Sequence, residues 1–162
     1  MDEGHYHGQP VRVVLVRHGE AFARGEHPGR PLTPRGQEET RRVAARLAGM
    51  GLPIEEIRHS GKRRAEETAL LLAQAFPGPV PVVRSAGLGP DDPVAPLARE
   101  LERCPRPLVL VGHLPHLVRL ASLLVCGDAE AGVVALPTSG MAVLEKGEGG
   151  FRLVALLPPE LA

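Results

Sequence analysis

The stretch Val11-Arg12-Val13-Val14-Leu15-Val16-Arg17-His18-Gly19-Glu20 decides the fold. Its apolar, mostly β-branched run has strand length and no polar alternation, the signature of a strand covered on both faces. The run stops abruptly at a cation, an imidazole and a glycine. Open α/β sheets hold their ligands at the carboxyl ends of their strands. Far along the chain, Leu108-Val109-Leu110-Val111-Gly112-His113 repeats the pattern. Two strands that each deliver a histidine at the exit point to one site built from distant parts of the sequence.

Working outward, Thr33-Pro34 reads as an N-cap followed by a proline at the first helical position. Val43, Ala44, Leu47 and Ala48 continue at helical spacing until Gly49 and Gly51 end the helix. Ile54 to His59 predicts a short second strand. Ser60 predicts the cap of a helix running to about Phe76, with Ala65, Ala69, Leu72, Ala73 and Phe76 inward. Val80 to Val83 is a third strand, Ser85 to Pro93 a loop, and Val94 to Arg103 a helix. After the strand at Leu108, a helix from Leu114 to Val125 turns Leu117, Leu120, Ala121 and Leu124 inward. Met141 to Leu144 and Phe151 to Leu157 flank Lys146-Gly147-Glu148-Gly149-Gly150, a hairpin pattern. The prediction is an α/β fold in three layers: a mostly parallel central sheet, helices on both faces and an antiparallel edge. Residues 11–162 form one domain in this reading, preceded by a flexible tail at 1–10 that carries His5 and His7.

The length of 162 residues fits a single core, and 43% apolar residues suffice for one. The formal charge is zero, so no basic field gathers nucleic acid or an anionic membrane, and an anion must be caught locally. Met1 to Gln9 lacks the apolar centre of a secretory signal, and no apolar run is long enough to span a bilayer. Cys104 and Cys126 make neither a disulfide scaffold nor a zinc site. Reduced thiols in a cytoplasmic protein are the expectation.

The layout gathers Arg17, His18, His113 and the helix turn bearing Lys62, Arg63 and Arg64 at one edge. Forked guanidinium donors and helix N-terminal N–H groups suit a tetrahedral oxyanion. A neutral imidazole among them can attack phosphorus and hold the phosphoryl group covalently. No Walker loop, metal-ligand cluster, Gly-x-Ser-x-Gly or Gly-x-Gly-x-x-Gly is present.

On these residues the chain resembles the histidine phosphatase superfamily, also called phosphoglycerate-mutase-like, and within it the SixA-type phosphohistidine phosphatases. Arg17-His18-Gly19-Glu20-Ala21 is similar to that branch's nucleophile motif. Pro31-Leu32-Thr33-Pro34-Arg35-Gly36 is similar to its Leu-Thr-x-x-Gly helix entry, and His59 to Thr68 to its second arginine motif. Val111-Gly112-His113-Leu114-Pro115 and Pro137-Thr138-Ser139-Gly140 resemble its second histidine motif and its late loop. The resemblance implies His18 as nucleophile, with Arg17, Arg64 and His113 on the phosphoryl oxygens. Arg64 rather than Arg63 falls at the family's arginine, because it directly precedes Ala65-Glu66. Gly19, Glu20 and Ser139 would line the substrate, and Glu20 would either pair with Arg17 or shape a local turn. His116 is read as a neighbour of the site or a surface residue.

Many superfamily members carry a glutamate general acid after the third strand. Here Ser85 to Asp92 contains none, leaving Asp91 or Asp92 as candidates. A phosphate monoester gains about 10²–10⁴-fold from a general acid. Imidazole leaving a protonated phosphoramidate departs neutral and needs that acid less. The favoured reading is a phosphatase of phosphohistidine on a protein, such as a histidine-phosphotransfer domain, without metal or organic cofactor. Two alternatives stay open: a small phosphate-ester phosphatase on the same fold, and a non-catalytic phosphate-binding module.

Overall fold

The computed structural model describes residues 10–162. The expected tail therefore lies, except for Pro10, outside the described residues. Strand β1 (Arg12–Arg17) is followed by α1 (Pro34–Gly49), β2 (Glu56–His59), α2 (Arg63–Gln74) and β3 (Val82–Arg84). Then come α3 (Ala95–Arg103), β4 (Leu108–Gly112), α4 (His116–Cys126), β5 (Met141–Gly147) and β6 (Gly150–Leu157). The six strands form one sheet in the order β3-β2-β4-β1-β5-β6. Pairings among the first four are parallel, whereas β5 runs antiparallel to both β1 and β6. The expected mostly parallel sheet with an antiparallel edge is what forms.

Side chains alternate across a strand, so β1 serves two cores at once. Val13 and Leu15 pack with Leu97, Leu101, Leu117 and Leu120 of α3 and α4. Val14 and Val16 pack with Val43, Leu47, Ala69 and Leu72 of α1 and α2. All four β1 residues are fully buried. Each such burial contributes about 1.5–3 kcal/mol. That two-sided burial is why the run shows no polar alternation.

Helix α1 starts as its sequence predicts. Thr33 caps it by accepting a hydrogen bond from the Gly36 amide at 3.0 Å, and Pro34 occupies the first turn. Gly36 has a second role: a Cβ there would overlap the Glu20 backbone, so only glycine lets α1 lie against the loop after His18. Helix α2 departs from its expected start and end. It begins at Arg63 with Lys62 in the cap position and no side-chain cap, and it ends at Gln74. Ser60 is not its cap, because the serine hydroxyl has a closer partner, the His113 ring, at 2.6 Å. Ala73 and Phe76 are only partly buried beside the core.

Candidate active site

Strands β1 and β4 are adjacent and parallel, with Arg17 opposite Gly112. The next residue of each, His18 and His113, therefore exits at the same edge. Their ring centroids lie 5.0 Å apart, with the planes inclined at 51°. The His18 amide donates to the Gly112 carbonyl at 3.0 Å, extending the ladder to the site itself.

His18 Nδ1 lies 2.7 Å from the Gly19 carbonyl oxygen. A carbonyl only accepts, so Nδ1 carries the proton and Nε2 keeps its lone pair. Burial lowers the His18 pKa to about 4, with Arg64, Arg17 and Arg30 adding to the effect against the opposing Gly19 bond. The ring is neutral at pH 7, and its tautomer leaves a nucleophilic nitrogen.

His113 is arranged differently. It is buried, and burial, followed by His18 and the nearby cations, lowers its pKa to about 3. The Ser60 hydroxyl accepts the Lys62 amide at 3.4 Å and is 2.6 Å from His113 Nε2. That hydrogen bond occupies Nε2 of His113 and leaves Nδ1 as its other ring nitrogen. That Nδ1 is buried with no hydrogen-bond partner. Arg17 Nε and Arg64 Nε are buried and unpartnered as well. Leaving buried donors unpaired costs about 1–3 kcal/mol each, so the constellation is unfavourable unless an acceptor arrives. Burial lowers the pKa of both arginines, but a guanidinium stays charged.

Two of the supports, Thr40 and Thr68, are polar residues that the sequence analysis did not single out. Arg17 donates from Nη1 to the Leu136 carbonyl at 3.0 Å. Thr68 accepts the Gly19 amide at 3.0 Å and donates to the Arg64 carbonyl at 2.7 Å. It thereby ties the loop after His18 to the turn bearing Arg64. Thr40 and Ser139 share a 2.8 Å hydrogen bond beneath Gly19, where a Cβ would meet the Thr40 hydroxyl at 2.7 Å. Thr40 and Thr68 are fully buried. The only available signal was a hydroxyl on the apolar face of each helix.

Other expected residues fall elsewhere. Ser139 is fully buried at φ 61°, with its hydroxyl spent on Thr40 and its amide shared by the Arg17 and His18 carbonyls. It braces the strand exit instead of presenting its hydroxyl to a ligand. The Glu20 carboxylate accepts from Thr33 at 3.2 Å and lies 3.9 Å from Arg35, so it pairs with the α1 entry and not with Arg17. Asp92 accepts the Gly89 amide at 2.8 Å, closing its own loop, and Asp91 is exposed. His116 is fully buried, not a surface residue. Arg63, with a side chain 53% exposed, reaches Glu67 at 3.6 Å, whereas its neighbour Arg64 turns inward. No cluster of metal-ligating side chains occurs among the described residues.

Comparison with known proteins agrees with this geometry. Residues 13–89 match the model of the histidine phosphatase superfamily (branch 1). An uncharacterized protein of Picosynechococcus sp. is 37% identical over 140 residues, covering 78% of this chain and 84% of the relative. The human mitochondrial serine/threonine-protein phosphatase PGAM5 is 34% identical over 98 residues, 56% of this chain but 34% of that protein. The structure of the protein histidine phosphatase SixA complexed with tungstate superposes with a TM-score of 0.80 at 25% identity, covering 91% of this chain and 97% of that one. The chain belongs to the histidine phosphatase superfamily.

Proposed function

We propose that the protein is a phosphohistidine phosphatase acting through a covalent intermediate on His18. The observation that carries this reading is the fixed tautomer. A neutral imidazole, held at Nδ1 by Gly19, directs a free Nε2 lone pair among buried donors that lack acceptors. In the reaction His18 Nε2 attacks the substrate phosphorus in line, forming one P–N bond as the bond to the leaving group breaks. Arg17, Arg64 and His113 neutralise the equatorial oxygens, the main requirement of phosphoryl transfer. A phosphohistidine substrate releases its imidazole as a neutral, protonated ring. Water then attacks phosphorus, the P–Nε2 bond breaks, and inorganic phosphate leaves with His18 restored.

The substrate class follows from leaving-group chemistry. Asp92 is engaged within its own loop and Asp91 is exposed, which supports a reaction that relies on no strong general acid. A P–N bond needs that acid least. Likeness to a protein histidine phosphatase supports a phosphorylated protein, such as a histidine-phosphotransfer domain, as the partner. The test compares turnover of a phosphohistidine protein with a panel of sugar phosphates and nucleotides. Preference for the phosphohistidine protein is expected. Preference for the esters would replace this substrate class by the small-ester alternative. Failure to trap any acid-labile, alkali-stable phosphoenzyme, with no phosphate released, would leave a binding module.

A further inference from the structure

Between β1 and α1 the chain makes a tightly built loop whose conformation is unexplained by the phosphoryl site. Its base is closed by the Ala21–Leu32 bridge and by the Phe22 amide donating to Pro31 at 3.0 Å. Inside it, Phe22 stacks on His27 at 5.4 Å, and the Arg30 amide donates to the His27 carbonyl at 3.1 Å. Its outer side leans on α2: Arg63 donates to the Pro28 carbonyl at 3.4 Å, and Glu67 accepts the Leu32 amide at 2.9 Å. The loop thus spans from the nucleophile strand to the turn that carries Arg64.

Arg30 follows the exposed residues 23–29 of this loop and is half-buried, with φ at 49°, a left-handed conformation that a non-glycine residue adopts at a cost. Strain of this kind persists where surrounding structure enforces it, often at ligand sites. Here the Arg30 Nε donates to the Phe22 carbonyl at 3.0 Å, which fixes the guanidinium. Its Nη groups have no hydrogen-bond or ion-pair partner among the described residues. The nearby carboxylates are already engaged: Glu26 accepts the Ala23 amide, and Glu67 serves Arg63 and Leu32. Arg30 is close enough to both His18 and Arg64 for its charge to depress their pKa values, and Arg24 acts on Arg64 in the same way. The phosphoryl clamp of Arg17, Arg64 and His113 is complete without either.

We infer that Arg30, held in a strained conformation by its loop, is a specificity residue that binds a second anionic group of the substrate beside the transferred phosphoryl. In a protein substrate that group is a carboxylate flanking the phosphohistidine. In a small substrate it is a second phosphate. The inference rests on the phosphatase reading above and deepens it.

The test measures kcat/KM for phosphohistidine peptides flanked by Glu or by Gln, and for a sugar bisphosphate against its monophosphate. The wild-type protein is expected to favour one doubly anionic substrate by at least about fivefold, the scale of one partly exposed ion pair. Arg30→Gln should erase that preference, and Arg30→Lys should restore part of it. Arg30→Gly suits the backbone conformation and should behave like Arg30→Gln, which separates recognition from folding. Selectivity in the peptide arm alone assigns a carboxylate, and in the ester arm alone a phosphate. Equal losses on singly and doubly anionic substrates, or no wild-type preference, would overturn the inference and leave the phosphatase intact. Absence of turnover on every substrate would remove both.

Discussion

His18 and His113 leave neighbouring parallel strands side by side, yet the fold engages opposite nitrogens of the two imidazoles. His18 spends Nδ1 on the backbone of the next residue and keeps Nε2 free. His113 spends Nε2 on Ser60, a residue from another strand exit, and keeps a buried Nδ1 without a partner. The same side chain leaves Nε2 unengaged in one place and Nδ1 unengaged in the other. What separates them is the partner of the second nitrogen, because a neutral ring carries one proton only.

The strongest way to break that contrast is to truncate each ring in turn. His18→Ala should lower kcat by about 10⁴-fold or more and leave no phosphoenzyme to trap. His113→Ala should cost about 10²–10³-fold, the scale of one transition-state donor, and still give a trappable phosphoenzyme. Single-turnover labelling with a phosphoramidate reads both, and equal losses with no phosphoenzyme in either variant would erase the distinction.

The pH dependence sharpens it. His18 titrates at about 4 in the free enzyme, so the acid limb of kcat/KM should fall near that value and not near the usual histidine range. Linkage has a definite sign here. Both rings have pKa values below that of an unfolded histidine, so the unfolded chain binds more protons. Stability should therefore decline as pH falls from about 6.5 towards the folded values of about 4 and about 3. Urea midpoints measured across that window check it, and replacing His18 by Asn should flatten part of the slope.

Ser60→Ala gives the smallest expected effect. It removes the hydrogen bond that orients the His113 ring, worth about 1 kcal/mol, so kcat should fall several-fold while KM changes little. Ser60→Thr should recover most of the loss. A cap-only role would instead lower the melting temperature and leave kcat alone.

The β1 and β4 runs could be read directly because two-sided burial demands uninterrupted apolar sequence, and the pairing register then brings their histidines to one edge. Thr33 could be read as a cap because that interaction spans three residues. Ser60 misled for the same reason: locally it is a good cap, but a partner 53 positions away took its hydroxyl. Glu20 misled likewise, since Thr33 and Arg35 come near only when α1 packs against the β1 exit.

The sequence by itself determined the layers, the strand that bears His18 and the family, since all three follow from patterns a few residues long. Only the tertiary structure decided which nitrogen of each histidine is free, which arginine of the Arg63-Arg64 pair turns inward, and where Arg30 stands. Those outcomes depend on hydrogen-bond competition between groups far apart in the chain. Such competition is settled only when packing fixes which partner is within about 3 Å.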